Sequence, residues 1–128
     1  MKFRYTIFYG EDVAASIDFF CRAFGFRASF IHPEGDFAQL ETGETLLAFC
    51  SRRLLQAQGK SPGQPSLEHP VFEIALETDD VPAALDKALR AGGRLIEETR
   101  LQDWGQQTAY VADPNGFLVE ICSPMTAG

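Results

Sequence analysis

The sequence predicts an α+β fold in which one βαβββ module occurs twice. Three observations predict it. Two stretches place apolar residues at helical spacing, the other apolar stretches have the length and composition of strands, and part of the first half recurs in the second. Because a single helix covers only one face of a sheet, we expect a curled mixed sheet around a shared cavity, lined by the faces that no helix covers.

The first module is predicted over residues 1–51. A strand over residues 3–9 ends at Gly10, and Asp12 is well suited to cap the helix that follows. That helix ends at Gly25, and its apolar face consists of Val13, Ile17, Phe20 and Phe24. Three shorter strands are predicted near residues 26–32, 36–41 and 45–51.

Residues 52–69 are predicted to form a connecting loop, because glycines and prolines interrupt any periodicity there. This stretch is longer than most loops of a compact domain, which indicates a lid or a linker between the modules. The second module is predicted over residues 70–124, with a strand over residues 71–78 and a helix capped by Asp80. The helix face is formed by Val81, Leu85, Ala88 and Leu89, and strands follow near residues 94–98, 107–113 and 117–123.

The modules are also related residue by residue. A shift of 68 positions aligns residues 11–27 with residues 79–95 without a gap, and seven of these 17 positions are identical. The identities are Asp12/Asp80, Val13/Val81, Ala15/Ala83, Asp18/Asp86, Arg22/Arg90, Ala23/Ala91 and Gly25/Gly93. For the last strands the shift becomes 72, so the second half carries four extra residues, predicted around residues 103–105. Such repeats usually cannot bury their apolar faces alone, so the two modules are expected to pack together.

Composition limits the classes of function. The chain has 128 residues, 45% of them hydrophobic, which is enough for one domain over residues 1–128 with a sizeable core. Without a membrane span or a signal-peptide pattern, and with three cysteines that lack a CxxC spacing, we expect a soluble cytoplasmic protein with reduced thiols. The net charge of -7 and the lack of a basic run argue against nucleic acid and membranes as partners.

A carboxylate on the last strand is the first candidate for chemistry. An Asp-Pro-Asn-Gly turn at residues 113–116 precedes this strand, on which Glu120 shares one face with Leu118 and Cys122. If that face is largely covered, the carboxylate needs a metal, a hydrogen-bond donor or a proton; the alternative is a wet face. Strand alternation and the two shifts give four equivalent positions on the cavity side: Tyr5, Ala48, Glu73 and Glu120.

Several motifs together resemble one known superfamily. They are Ser16-Ile17-Asp18-Phe19-Phe20, Gly25-Phe26, Asp79-Asp80-Val81, Ala91-Gly92-Gly93, Trp104-Gly105-Gln106, and Asp113-Pro114-Asn115-Gly116 before Val119-Glu120. In them the chain resembles, over nearly its whole length, the vicinal oxygen chelate superfamily of glyoxalases, bleomycin-resistance proteins and extradiol dioxygenases. The resemblance implies a glyoxalase-like fold and a homodimer. It does not fix the reaction, because the scaffold hosts unrelated chemistries.

The resemblance implies a divalent metal ion held by four side chains. Their positions fall here on Tyr5, on Ala48 or its neighbour Leu47, and on Glu73 and Glu120, of which only Glu120 keeps the usual identity. Two carboxylates without a histidine could hold Mg²⁺ or Mn²⁺ but suit Zn²⁺ poorly. Glu73 and Glu120 are therefore candidates for metal binding and for catalysis. The competing hypothesis is that they hydrogen-bond a ligand or Tyr5, or share a proton.

Four side chains are predicted to contact a ligand: Tyr5, Tyr9, Gln39 and Trp104. Tyr9 could instead belong to the core, and Trp104 could be the anchor of its loop rather than a lid that stacks on a flat ligand. His32 and His69 fall on no ligand position.

Three functions stay open at this point. The leading hypothesis is a glyoxalase/bleomycin-resistance-like protein that binds a small organic molecule in a central cavity and has a degenerate metal site. The alternative is a metal-dependent lyase or isomerase similar to lactoylglutathione lyase, in which Glu73 or Glu120 moves a proton. The third is a structural or regulatory partner domain whose own side chains fill the cavity.

Overall fold

The computed structural model describes residues 1–125 and has the predicted α+β class, with two modules that each contain a four-stranded mixed sheet. Neither sheet closes on itself. The chain divides into two compact units, one made of Met1–Cys21 and Gly25–Gln64, the other of Arg22–Phe24 and the chain from Pro65 onward. The predicted cavity shared by the two modules stays a prediction. No helix within residues 1–125 is long and apolar enough to cross a membrane.

The first sheet has the order β1-β4-β3-β2. Its strands are β1 (Tyr5–Gly10), β2 (Arg27–Ile31), β3 (Phe37–Glu41) and β4 (Leu46–Ser51), with β1 parallel to β4 and the other pairs antiparallel. Helix α1 (Val13–Phe24) begins where the Asp12 carboxylate accepts the Ala15 N–H at 3.0 Å. The Phe20 ring of this helix packs on Phe8 and Phe49, and all three are fully buried.

A short helix, α2 (Arg52–Ala57), occupies the start of the stretch predicted as a loop. Ser51 caps it, because the hydroxyl accepts the Leu54 N–H at 3.0 Å and donates to the Asp36 carboxylate at 2.7 Å. The buried Arg52 side chain pairs with Glu11. These contacts with distant residues stabilise a helix that is too short to show an apolar period. Residues 58–72 form neither helix nor strand.

The second sheet repeats the first, with the order β5-β8-β7-β6. Its elements are β5 (Glu73–Glu77), α3 (Val81–Arg90), β6 (Arg94–Leu101), β7 (Gln107–Ala112) and β8 (Leu118–Cys122). Tyr5 lies opposite Leu46 in the first sheet, and Glu73 lies opposite Leu118 in the second, as the two sequence shifts require. The repeat is therefore present in the strand register as well as in the sequence.

The extra residues of the second half were predicted around residues 103–105. In the strand pairing they lie in the β6–β7 hairpin around that point, because 12 residues separate the paired Glu97 and Tyr110, against eight between the paired Phe30 and Gln39. The turns after β2 and β6 each span five residues, so the added length lies in the arms of the hairpin, and β6 has eight residues against five in β2. An irregularity between Glu97 and Arg100, which β2 lacks, absorbs part of this length. Added residues can join a hairpin arm because each new pair makes its own backbone hydrogen bonds.

Candidate functional site

The site is built on one face of the second sheet. Val119 and Ile121 of β8 are fully buried and point to one side, so Glu120 between them points to the other. We call the surface on that side the Glu120 face; its residues are Glu73, Ala75, Glu77, Tyr110, Leu118, Glu120 and Cys122. In the strand pairing, Glu120 lies between Ala75 of β5 and Tyr110 of β7.

Tyr110 is the direct partner of Glu120. The two residues are opposite each other in the antiparallel β7–β8 pair, and the Tyr110 hydroxyl donates to Glu120 Oε2 at 2.8 Å. Burial, followed by the hydrogen bond to Glu120 and the charge of that carboxylate, raises the pKa of Tyr110 well above its ordinary value. The phenol therefore stays protonated at neutral pH and acts as a hydrogen-bond donor to Glu120.

Glu73 lies close to this pair. It is on β5, two residues before Ala75, the residue that pairs with Glu120. Although the residue is exposed as a whole, partial desolvation, followed by its interaction with Glu120, raises the pKa of the Glu73 carboxyl, and its interaction with Tyr110 opposes that rise. Two neighbouring carboxylates that interact in this way bind a proton more readily than isolated ones. The structure thus brings together Glu73 and Glu120, the two predicted catalytic residues.

The thiol of Cys122, on the same face, is not activated as a nucleophile. Burial, followed by the charges of Glu120 and Glu77, raises the pKa of Cys122. A protonated thiol is a poor nucleophile, so Cys122 contributes an apolar surface beside the carboxylates.

The Asp-Pro-Asn-Gly turn sets the pairing between Tyr110 and Glu120. The buried Asp113 carboxylate accepts the Phe117 N–H at 2.8 Å and the Asn115 N–H at 3.0 Å. Gly116 has a φ of 97°, a conformation that favours glycine. The sequence predicts this turn, but Tyr110 was not among the predicted site residues. Counting back along the hairpin from the turn would have found it.

Tyr5, Tyr9 and Gln39 lie on one face of the first sheet. Tyr5, Ile7 and Tyr9 alternate along β1 with the buried Phe8, and each is exposed. Ile7 lies opposite Ala48, and Ala48 lies opposite the half-buried Gln39. Their predicted role in ligand binding stays a prediction.

Trp104 is held in place without being buried. Its side chain is 59% exposed, and its indole N–H donates to Gln106 Oε1 at 2.9 Å. The Gln106 side-chain amide donates in turn to the Ser123 carbonyl at 2.8 Å. Burial of Trp104 therefore does not anchor the loop, and the ring offers a largely open surface. Stacking of this ring on a ligand stays a prediction.

The donor set does not fit the metal ion that the resemblance implies. Ala48 and Leu47 have no donor atom, and within residues 1–125 no three His, Cys, Asp or Glu side chains lie close enough to hold a metal ion. Glu120 Oε2 already accepts a hydrogen bond from the Tyr110 hydroxyl. Of the two histidines, His32 Nδ1 accepts the Glu34 N–H in the turn after β2, and His69 is exposed in the connection.

Comparisons with known proteins agree with one another. The sequence model of the Glyoxalase/Bleomycin resistance protein/Dioxygenase superfamily matches residues 2–121. A glyoxalase-related enzyme from Fulvimarina pelagi has a similar structure, with a TM-score of 0.83 and 21% identity over 97% of this chain and 88% of the other. No curated protein sequence matches significantly.

Two further crystal structures are similar. A glyoxalase/bleomycin resistance protein/dioxygenase family enzyme from Burkholderia phytofirmans PsJN gives a TM-score of 0.76 and 23% identity over 93% of this chain and 95% of the other. A protein of unknown function from Agrobacterium tumefaciens str. C58 gives 0.78 and 25% identity over 97% and 94%.

Proposed function

The chain belongs to the Glyoxalase/Bleomycin resistance protein/Dioxygenase superfamily, and from that premise we propose that it binds a small organic molecule at the Glu120 face of its second sheet. The observation that carries this proposal is the hydrogen bond from Tyr110 to Glu120, with Glu73 beside it. A few well-placed polar groups among apolar neighbours are typical of small-molecule sites. Ala75, Leu118 and Cys122 supply those neighbours here.

Four further side chains stay candidates for ligand binding. Tyr5 and Tyr9 of the first sheet and Trp104 of the second unit keep exposed rings, and Gln39 has a partly accessible amide. Exposed rings are suited to contact with flat or apolar ligands. We therefore keep these four residues as candidates for ligand binding.

A thermal-shift screen of small organic molecules tests the proposal. A ligand at 100 times its dissociation constant stabilises a protein by about 2.7 kcal/mol, which for a chain of this size raises the melting temperature by several degrees. We expect Glu120→Gln to abolish the shift. Glu44→Gln, which makes the same charge change in an exposed turn of the first unit, is expected to leave it unchanged. A shift that is equal in all three proteins would place the ligand elsewhere.

The alternative of a metal-dependent lyase or isomerase requires a bound divalent ion. The donor set does not fit such an ion, so the binding proposal is better supported. Elemental analysis of protein purified without chelator separates the two hypotheses, because stoichiometric metal would favour the alternative.

We also propose that the protein acts in the cytoplasm as a homodimer. Its three cysteines are free, which suits a reducing compartment, and the resemblance implies a dimer. Sedimentation equilibrium measures the assembly directly, and a monomeric mass at micromolar concentration would contradict the dimer.

A further inference from the structure

We propose that the Tyr110 hydroxyl takes over the orienting role of a metal ion: it holds the Glu120 carboxylate in place for an organic ligand that carries an amine or a hydroxyl group. This inference deepens the proposed function and rests on it. It starts from the donor set: the four implied metal positions contain only two carboxylates, and within residues 1–125 no three His, Cys, Asp or Glu side chains could hold a metal ion.

The geometry fixes one carboxylate oxygen and leaves further acceptor capacity. Tyr110 donates to Oε2 of Glu120 at 2.8 Å, an ordinary distance for an O–H···O hydrogen bond. An ionised carboxylate has about four acceptor positions. Glu120 can therefore accept further hydrogen bonds, and its carboxylate is already oriented before a ligand arrives.

The hydrogen bond from Tyr110 to Glu120 also disfavours the binding of a metal ion to Glu120. A tyrosine ligates a metal well only as a phenolate, and here the phenol proton is held in the hydrogen bond to Oε2 of Glu120. A cation could therefore not bind both oxygens of Glu120 without displacing this hydrogen bond.

The chemistry of the ligand follows from what the site can accept. Glu73 and Glu120 offer acceptor oxygens, and the phenol proton is already engaged by Glu120. A ligand that donates from an ammonium or a hydroxyl group fits this arrangement. A carboxylate or phosphate group would meet like charge from two glutamates and would be disfavoured.

A titration with Mn²⁺ alone tests the role of Tyr110. Tyr110→Phe removes only the hydroxyl and leaves two neighbouring carboxylates without their donor. We expect this variant to bind Mn²⁺ about tenfold more tightly than wild type, because a hydrogen bond to a charged group no longer competes. Thr42→Val, which removes a hydroxyl group from an exposed turn of the first module, is expected to match wild type. Electron paramagnetic resonance of free Mn²⁺ measures all of these affinities.

Two results would overturn the inference. One is equal Mn²⁺ affinity in wild type and in folded Tyr110→Phe. The other is saturable, micromolar Mn²⁺ binding by wild type, a measurement that needs no variant and so applies even if Tyr110→Phe fails to fold. In the double variant Tyr110→Phe with Glu73→Gln, the gain in affinity is expected to disappear, since a single carboxylate remains.

A second arm tests the class of ligand with three matched probes: benzylamine, benzyl alcohol and benzoate. We expect millimolar benzylamine and benzyl alcohol to raise the melting temperature of wild type but not of Glu120→Gln, and benzoate to have no effect. Stabilisation by benzoate that requires Glu120 would overturn the inference. The Mn²⁺ titration stands independently of any ligand, so its failure and a failure of the ligand screen can be told apart.

Discussion

The two modules share a backbone plan but differ in chemistry at matching places. In the first sheet, the row across three strands reads Ile7, Ala48 and Gln39. In the second sheet, the row in the same register reads Ala75, Glu120 and Tyr110. A small apolar residue therefore occupies the central position in one module, and a glutamate with its own donor occupies it in the other. The pairing of the strands is therefore the same in the two modules, although the polar side chains at matching positions differ.

The difference also concerns the partner of the central residue. Ala48 is fully buried and needs no hydrogen bond, whereas Glu120 is half-buried and receives one from the residue directly across the strand pair. Burial of a carboxylate without such a donor is costly. Glu120 and Tyr110 therefore form a pair, and neither residue is explained without the other.

The largest expected effect comes from copying the glutamate into the first sheet. Ala48→Glu places a charge at a fully buried position whose cross-strand neighbour is Gln39. We expect a loss of about 3–5 kcal/mol in the free energy of unfolding, because the charge lacks compensation. Adding Gln39→Tyr places a phenol across the strand pair, as Tyr110 lies across from Glu120, and should recover about 1.5 kcal/mol. Urea denaturation measures both changes; an unchanged midpoint for Ala48→Glu would contradict the expected cost of a charge at this position.

A smaller difference in the free energy of unfolding is expected between variants of the two turns that precede β4 and β8. Asp113→Ala removes an acceptor of two backbone N–H groups, and we expect it to cost about 2 kcal/mol. In the first module the Thr42 hydroxyl donates to the Thr45 carbonyl in an exposed turn, so Thr42→Ala should cost about 0.5 kcal/mol. Equal losses in chemical denaturation would show that the two turns contribute alike.

The smallest effect is a pH dependence of opposite sign in the two units. The raised pKa of Glu73 gives stability that is complete below its ordinary pKa of about 4.3 and is lost as pH rises through the folded-state pKa. The hydrogen bonds from Ser51 and then Arg53 lower the pKa of Asp36. This interaction stabilises the fold at pH values above the ordinary pKa of an aspartate, and the stability is lost as pH falls through the lowered pKa.

Urea midpoints of two variants between about pH 3 and pH 7 check these signs. Relative to wild type, Glu73→Gln should gain stability as pH rises, and Asp36→Asn should lose it. The same direction in both variants would contradict the raised pKa of Glu73 beside Glu120.

Much of this fold could be predicted because its signals are local. Asp12 and Asp80 cap α1 and α3 by accepting the N–H groups of Ala15 and Ala83, as expected for an aspartate just before an apolar helical period. Helix α2 was not predicted, since its six residues carry no period and it depends on contacts with Glu11 and Asp36, which are distant in sequence.

Some residues of the candidate site could likewise be predicted from local signals, and one could not. Glu73 and Glu120 could be identified from strand alternation together with the two repeat shifts, because each is a charged residue among apolar neighbours. The role of Tyr110 could not be found by that criterion, because a tyrosine on a strand resembles a core residue. Only the register across the hairpin shows that its hydroxyl reaches Glu120.

The lengthened β6 has a consequence for how this protein can change over evolutionary time. The additional residues lie beyond the pair formed by Glu97 and Tyr110, toward the tip that carries Trp104. Insertions and deletions there can alter the reach of the tip while the strand pairing beneath Glu120 stays as it is. Selection could therefore adjust what the tip contacts separately from the polar pair, and a designer could exchange the tip in the same way.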